Sequence, residues 1–235
     1  MFAAVRFNKI IVLAAVLCII FSTAICVFIK GADKKAAGSY SAATLVIDPG
    51  HGGIDGGAIA ADGTKESAIN LAIAQKMAAI AGFYGKSYVM TRDTEESSVS
   101  IAEYSEHEDL VRRAELANST PGGVLISIHQ NNYPAPEPMG AEVMFAATNG
   151  SRELGELAQK NIVSMADPED RRVASPAPAE LLLTSSVTCP AILAECGFMS
   201  NPQEAGKLGT DVYQTKLSCA LTAAYILFSQ GGKSV

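Results

Sequence analysis

The segment Leu-Val-Ile-Asp-Pro-Gly-His-Gly-Gly-Ile-Asp-Gly-Gly, at residues 45–57, decides the fold of this chain. Its first three residues are apolar and predict a short buried strand, which Pro49 and Gly50 end before a glycine-rich loop. In an open α/β sheet, ligands bind at the carboxyl ends of the strands. His51 stands at such an end. There it is a metal ligand, a base or an ordinary loop residue, and a histidine considered alone is most often the last of these.

Length, charge and cysteine content bound the function classes. The chain has 235 residues, which suits one domain with a sizeable core. The net charge is −6 and no basic block is present, so we expect no nucleic-acid partner. Outside the N-terminal apolar segment the cysteines are Cys189, Cys196 and Cys219, without a Cys-x-x-Cys pair. We interpret them as buried thiols rather than as a disulfide framework or a zinc knuckle.

An uncharged apolar run covers residues 10–29 and is long enough to span a hydrocarbon layer of about 30 Å. Arg6 and Lys9 precede it, so residues 1–9 are expected to be cytoplasmic and the run to be a transmembrane anchor. The alternative is a cleaved signal peptide, although the run exceeds the roughly 7–15 apolar residues typical of one. Residues 30–43 are small and polar and form a linker. The catalytic domain would then be extracytoplasmic, either anchored or secreted after cleavage.

The remainder, residues 44–230, alternates strands with helices and predicts one α/β domain with a mostly parallel sheet. The predicted strands are 45–48, 86–92, 124–129, 141–145, 181–183 and 191–194. The predicted helices are 66–81, 107–118, 151–165 and 212–228. The acidic, serine-rich segment 93–106 and the polar segment 167–180 are expected to be loops.

Four polar side chains occupy one kind of position in this pattern: His51, Glu66, His129 and Glu195. Three follow or end apolar strands, and Glu66 lies where the glycine loop returns to the first helix. The carboxyl ends of parallel strands meet at one edge of a sheet. Two imidazoles and one carboxylate are the ligand set of a catalytic zinc, and a further carboxylate can act as general base.

Considered alone, some of these residues have an ordinary interpretation. Glu66 alone would be a solvated residue favoured by the helix dipole. Glu195 follows four apolar residues, where a carboxylate is costly unless it is paired or used. His107 lies in an acidic stretch and is expected at the surface. A metal-free hydrolase and a phosphate-binding loop are weaker alternatives, because neither Gly-x-Ser-x-Gly nor Gly-Lys-Ser/Thr is present.

The motifs also carry a family resemblance. They are Ile-Asp-Pro-Gly-His-Gly-Gly (47–53), Lys-Glu-Ser-Ala-Ile-Asn-Leu (65–71), Thr-Arg (91–92), Arg113 with Ala117-Asn118, Ser-Ile-His-Gln-Asn (127–131) and Glu-Cys-Gly-Phe-Met-Ser-Asn-Pro (195–202). In this order they make residues 45–228 resemble the zinc-dependent N-acetylmuramoyl-L-alanine amidases that cleave bacterial peptidoglycan. The short chain, with one N-terminal apolar segment and no wall-binding repeats, is similar to the subgroup that acts on the spore cortex.

The resemblance implies that His51, Glu66 and His129 bind one Zn²⁺ and that Glu195 is the catalytic acid and base. It implies a twisted sheet of about six strands flanked by helices. It also implies the scissile bond, between the lactyl group of N-acetylmuramic acid and L-alanine of the stem peptide. The chain departs from the family at Ser67, where most relatives have lysine, and at 184–185, where many have a basic residue.

Further residues receive secondary roles. Asp48 either orients a ligand imidazole or caps the turn before Pro49, and Asn131 either contacts substrate or fixes its loop. Arg92 and Arg113 are expected to be structural ion-pair partners. Two rival functions remain: a zinc peptidase acting within the stem peptide, and a non-catalytic wall-binding module. The sequence identifies no activating protein.

Overall fold

A computed structural model describes residues 42–99, 104–135 and 139–231. Its strands are β1 (Thr44–Pro49), β2 (Tyr88–Met90), β3 (Gly123–Asn131), β4 (Glu142–Phe145), β5 (Ser175–Pro176) and β6 (Ala191–Phe198). Its helices are α1 (Glu66–Phe83), α2 (Glu106–Ser119), α3 (Ser151–Met165), α4 (Leu182–Ser186), α5 (Pro202–Leu208) and α6 (Asp211–Ser229).

The strands form one six-stranded sheet in the order β2-β1-β3-β6-β4-β5. The pairs β1–β2, β1–β3 and β3–β6 are parallel, as is the short pair β4–β5. Only β4–β6 is antiparallel among the described pairs. The prediction of a single α/β domain with a mostly parallel sheet flanked by helices is confirmed.

Alternate residues of the central strands enter two separate cores, as the two-residue period of a strand requires. On β1, Leu45 and Ile47 face the larger core, which α1, α3 and α6 cover. Val46 faces the smaller core with Ala117 of α2 and Leu183 of α4. Both faces of the sheet are therefore covered, which explains why the central strands are continuous apolar runs.

The predicted helices near 66–81, 107–118, 151–165 and 212–228 are all present, with boundaries shifted by a few residues. The prediction of a strand at 181–183 is wrong, because α4 begins at Leu182. Of the three leucines only Leu183 enters the core, while Leu181 and Leu182 remain partly exposed. Helix α5 was not predicted, although Asn201 caps it and Pro202 occupies its first turn.

The two ends of the described chain meet at the amino end of the parallel strands. The Tyr225 hydroxyl of α6 donates a 2.6 Å hydrogen bond to the carbonyl of Ala43, just before β1. The Ser218 hydroxyl of the same helix donates to the carbonyl of Ile73 in α1. The last helix therefore closes the domain against its first strand and first helix.

The described residues include no helix that is both long and apolar enough to cross a membrane. The predicted anchor at residues 10–29 lies outside the described residues.

Candidate active site

Three of the four predicted side chains come together at the carboxyl edge of the sheet. One carboxylate oxygen of Glu66, Oε1, lies 3.2 Å from Nε2 of His51 and 3.2 Å from Nδ1 of His129. One ligand atom from each residue falls within 4.8 Å of the others. The imidazole rings meet edge to face, with centroids 4.9 Å apart.

The glycine loop has the shape that this cluster requires. His51 adopts a left-handed backbone conformation with φ of 60°, which is uncommon for a residue with a side chain. A Cβ atom at Gly50 would overlap the His129 ring. Gly57 has φ of 65°, and a Cβ there would lie 2.6 Å from the Glu66 carboxylate. The glycines after β1 therefore give the loop both its path and the room for the three side chains.

Glu66 is held in place by the main chain on both sides. It is only 3% exposed, so it is not a solvated helix-start residue. Its Oε2 accepts a hydrogen bond from the Ala58 amide, and its Oε1 accepts one from the Gln130 amide, each at 2.9 Å. Asn70, one turn along α1, also donates to Oε1. Burial alone would raise the pKa of the Glu66 carboxyl, but hydrogen bonds with His129 and His51 hold it well below its usual range.

Asp55 orients His51, a role that was not predicted from the sequence. Its Oδ2 lies 2.7 Å from Nδ1 of His51, while its Oδ1 accepts from the Gly57 amide at 3.0 Å. A carboxylate at Nδ1 favours the tautomer whose free Nε2 can bind a metal. Burial alone would lower the pKa of His51, but hydrogen bonds with Glu66 and Asp55 raise it to about 9. The signal was present in the sequence, four residues after His51 in the same loop.

Asp48 has a different role from the one predicted, because its oxygens are used inside the sheet. It accepts hydrogen bonds from the hydroxyls of Thr91 and Ser127, both at 2.6 Å, and from the Arg113 guanidinium at 2.8 Å. Burial would raise the pKa of the Asp48 carboxyl, but Arg113 and the two hydroxyl groups hold it below its usual range. It therefore does not orient a ligand imidazole, which Asp55 does instead.

The two arginines fix the backbone beneath the site. Arg113 pairs with Asp48 and Asp109, as predicted, and also donates to the carbonyl of His51 at 2.7 Å. Arg92 instead donates to main-chain carbonyls, including that of Gly50. Its expected role as an ion-pair partner is therefore corrected, since its hydrogen bonds hold the loop rather than an acid. Burial lowers the pKa of Arg92 to about 10.

Glu195 stands beside His129, because the two residues are partners in the β3–β6 register. Its Oε2 is buried and has no hydrogen-bond partner among the described residues. Burial, with the nearby Glu66 and Glu142 charges, raises the pKa of the Glu195 carboxyl to about 7. A buried acceptor with no partner is costly, so this oxygen is available for a group that arrives with the substrate.

The donor set suits a catalytic zinc ion. Two imidazole nitrogens and one carboxylate oxygen converge, and His51 has the supporting carboxylate typical of such sites. The two histidines use different ring nitrogens: Nε2 of His51 and Nδ1 of His129 both point at the Glu66 carboxylate. His107, the third histidine, is exposed on α2 and takes no part.

A cleft of about 220 Å³ opens onto these residues. Its lining includes the polar side chains of His51, His129 and Glu195 together with three leucines, residues 181–183, where α4 begins. Of the two positions that lack the family's basic residue, Thr184 is buried and Ser185 exposed. Asn131 lies partly exposed at the end of β3, and its substrate contact stays a prediction.

Comparison with known proteins identifies the family. Residues 45–226 match the family model described as N-acetylmuramoyl-L-alanine amidase. The chain belongs to this amidase family. It is therefore an amide hydrolase with the specificity class that the resemblance implied, and the wall-binding module without activity is set aside.

Individual similar proteins are also named as amidases. The germination-specific N-acetylmuramoyl-L-alanine amidase of Bacillus subtilis is 31% identical over 182 residues, which cover 75% of this chain and 76% of that protein. The amidase AmiA of Escherichia coli is 26% identical, over 85% of this chain and 79% of its own. The structure of the CwlD amidase from Clostridioides difficile, in complex with the GerS lipoprotein, superposes with a TM-score of 0.74 at 28% identity. It covers 80% of this chain and 98% of that one.

Proposed function

We propose that this amidase hydrolyses its substrate with a water molecule activated by Zn²⁺, and that the bond cleaved joins the lactyl group of N-acetylmuramic acid to L-alanine. The observation that supports it most is the convergence of His51, Glu66 and His129 beside a buried, unpartnered Glu195 oxygen. When bound by these three residues, Zn²⁺ would polarise the scissile carbonyl and lower the pKa of a bound water to about 7.

Glu195 carries the proton transfers. Its pKa of about 7 suits a group that takes a proton from water and returns it to the leaving amine. Asp55 keeps the His51 ring in one tautomer, and Arg113 holds the His51 carbonyl, so the cluster keeps its geometry during both transfers. The leucines of residues 181–183 form the apolar wall against which the substrate lies.

Mass spectrometry of digested peptidoglycan tests the assignment. The expected products are stem peptides with a free L-alanine amino terminus and glycan strands with unsubstituted lactyl groups. Cleavage between amino acids of the stem peptide would instead identify a zinc peptidase. Removal of the metal with a chelator should abolish the amidase products, and added Zn²⁺ should restore them.

The cellular setting forms a second part of the proposal. The uncharged run at residues 10–29 and the preceding Arg6 and Lys9 support a single anchor with an extracytoplasmic catalytic domain. The germination-specific relative supports a role in the spore cortex, and the complex of the CwlD amidase supports a lipoprotein partner. A tag after Val235 should be cleaved by protease added outside the membrane. Protection would contradict this topology, and a mature amino terminus near Gly31 would identify a cleaved signal.

A further inference from the structure

Exposed aromatic side chains cluster at the end of the domain opposite the active site. Phe83 and Tyr84, at the end of α1, are 86% and 61% exposed, and Tyr88, at the start of β2, is 42% exposed. The rings of Phe83 and Tyr84 meet edge to face with centroids 5.5 Å apart. A Cβ atom at Gly82 would lie 3.7 Å from the Tyr88 ring, so that ring stands against the same helix end. We call these three residues the aromatic end.

The aromatic end lies where the N-terminal segment joins the domain. The first residues of β1 receive the chain from the linker, and Leu45 is the register partner of Tyr88. The Leu45 amide also donates a 3.0 Å hydrogen bond to the carbonyl of Ser87. The start of β1 therefore lies beside Tyr88, one of the three exposed rings.

Four loops at this end contain no acidic residue, although the chain has a net charge of −6. Hydrogen bonds and strand register place four loops here, at residues 82–88, 118–123, 146–150 and 187–190. Lys86 is the single charged residue in these four loops. Loops without carboxylates can approach an anionic surface without repulsion.

We infer that the aromatic end rests on the anionic lipid surface that holds the anchor. This inference rests on the anchor proposed above. Tyrosine is enriched at the membrane–water interface, phenylalanine is common on the apolar face of interfacial helices, and a lysine beside them favours anionic lipid. The linker from Lys30 to Ala43 spans at most about 50 Å when extended. Such a tether gives a local concentration in the millimolar range, so even a weak contact is populated.

This contact sets the direction in which the enzyme acts. His51 follows the carboxyl end of β1 and His129 lies near the carboxyl end of β3, whereas the aromatic end lies at the amino ends of these strands. With a rise of about 3.3 Å per residue, a six-residue strand separates the two by about 20 Å. The active site therefore faces away from the membrane.

The chain contains no tryptophan, so a single substitution gives a specific fluorescent reporter. We would prepare full-length F83W and, as the matched control, V212W, and insert each into phosphatidylglycerol-containing vesicles whose acyl chains are brominated near the headgroup. Val212 is 68% exposed in the first turn of α6, at the far end of that helix from Tyr225. We expect about twofold or greater quenching of F83W, since interfacial rings lie at headgroup level, and little quenching of V212W.

The outcomes separate this inference from the anchor. If the protein floats with the vesicles but F83W is quenched no more than V212W, the anchor is supported and the contact is overturned. The aromatic end would then be a surface for a protein partner. Protein that fails to float overturns both. Adding K86E to F83W should weaken quenching in anionic vesicles and leave it unchanged in neutral ones. If F83W with and without K86E were quenched equally in anionic vesicles, the role of Lys86 would be overturned.

Discussion

Nδ1 of His51 lies 2.7 Å from Oδ2 of Asp55, so the orientation of a metal ligand is set by an acid in its own loop. The contact leaves Nε2 of His51 directed at Glu66. The loop thus supplies a ligand together with the group that fixes its tautomer.

Replacing Asp55 should weaken metal binding without unfolding the domain. An asparagine can present its amide to Nδ1 and so place the imidazole proton on Nε2, which is the ligand atom. We expect D55N to bind zinc about 10–100-fold more weakly, the usual cost of removing a residue that supports a ligand. Zinc competition with a chromophoric chelator measures this. D62N, an exposed acid in the same loop, should keep the parent affinity, and equal loss in both variants would contradict the role of Asp55.

His129 should be required for the metal itself. We expect one zinc per parent chain, and H129A to lose more affinity than the roughly 10–100-fold expected for a supporting residue. Elemental analysis of protein dialysed against limiting zinc gives the stoichiometry. H107A removes an exposed histidine of α2 and should retain the metal. Full zinc occupancy in H129A would exclude His129 from the ligand set.

Glu195 should be needed for turnover but not for zinc. E195Q preserves the shape of the side chain and removes the base, so we expect a loss of about 10²–10⁴-fold in kcat with zinc content and Tm unchanged. Assays on purified muropeptides, read by the release of stem peptide, test this. E66Q should behave differently and lose zinc along with activity. An E195Q enzyme within a few fold of the parent would show that another group is the base.

The Asp48–Arg113 pair should stabilise the fold in a pH-dependent way. Asp48 is fully buried, so D48N removes one of the two carboxylates that neutralise the buried Arg113 guanidinium, leaves only Asp109, and should cost about 3 kcal/mol of unfolding free energy. The Asp48 pKa is depressed in the folded state, so its contribution is complete above the unfolded value of 3.8 and is lost as pH falls through the folded value.

Denaturant unfolding at several pH values tests the pair. The difference between parent and D48N should shrink at acid pH. D211N, which removes an exposed partner of Lys76, should matter less, because exposed ion pairs contribute about 0–1 kcal/mol. A pH-independent difference between the parent and D48N would show that Asp48 acts through packing alone.

The site could be predicted from sequence because parallel strands place their carboxyl ends at one edge. His51 follows β1 directly, as the apolar run predicted, whereas β3 and β6 continue past His129 and Glu195, so these two lie within the last residues of their strands rather than after them. Asp55 and Asp48 were harder to assign. Both are acids of the same motif, and only the folded path of the loop decides which one reaches the imidazole.

The fold was least predictable where local signals are short. Three consecutive leucines at 181–183 fit a strand or a helix equally well. In the structure two of them stay partly exposed beside the cleft instead of both faces being buried in the sheet. Strand β5 has two residues and is defined only by its parallel pairing with β4. In contrast, the Asn-Pro start of α5 was a readable signal.

The hydrogen bond from Tyr225 to Ala43 has a consequence for biogenesis. It joins residues 182 positions apart, and α6 covers the larger core next to β1 and α1. Domains acquire their stable packing as units, so this core remains open during synthesis until the last helix has left the ribosome. A chain exported by its N-terminal segment would therefore cross the membrane before it can fold, and the enzyme would become active only after its final helix arrives outside.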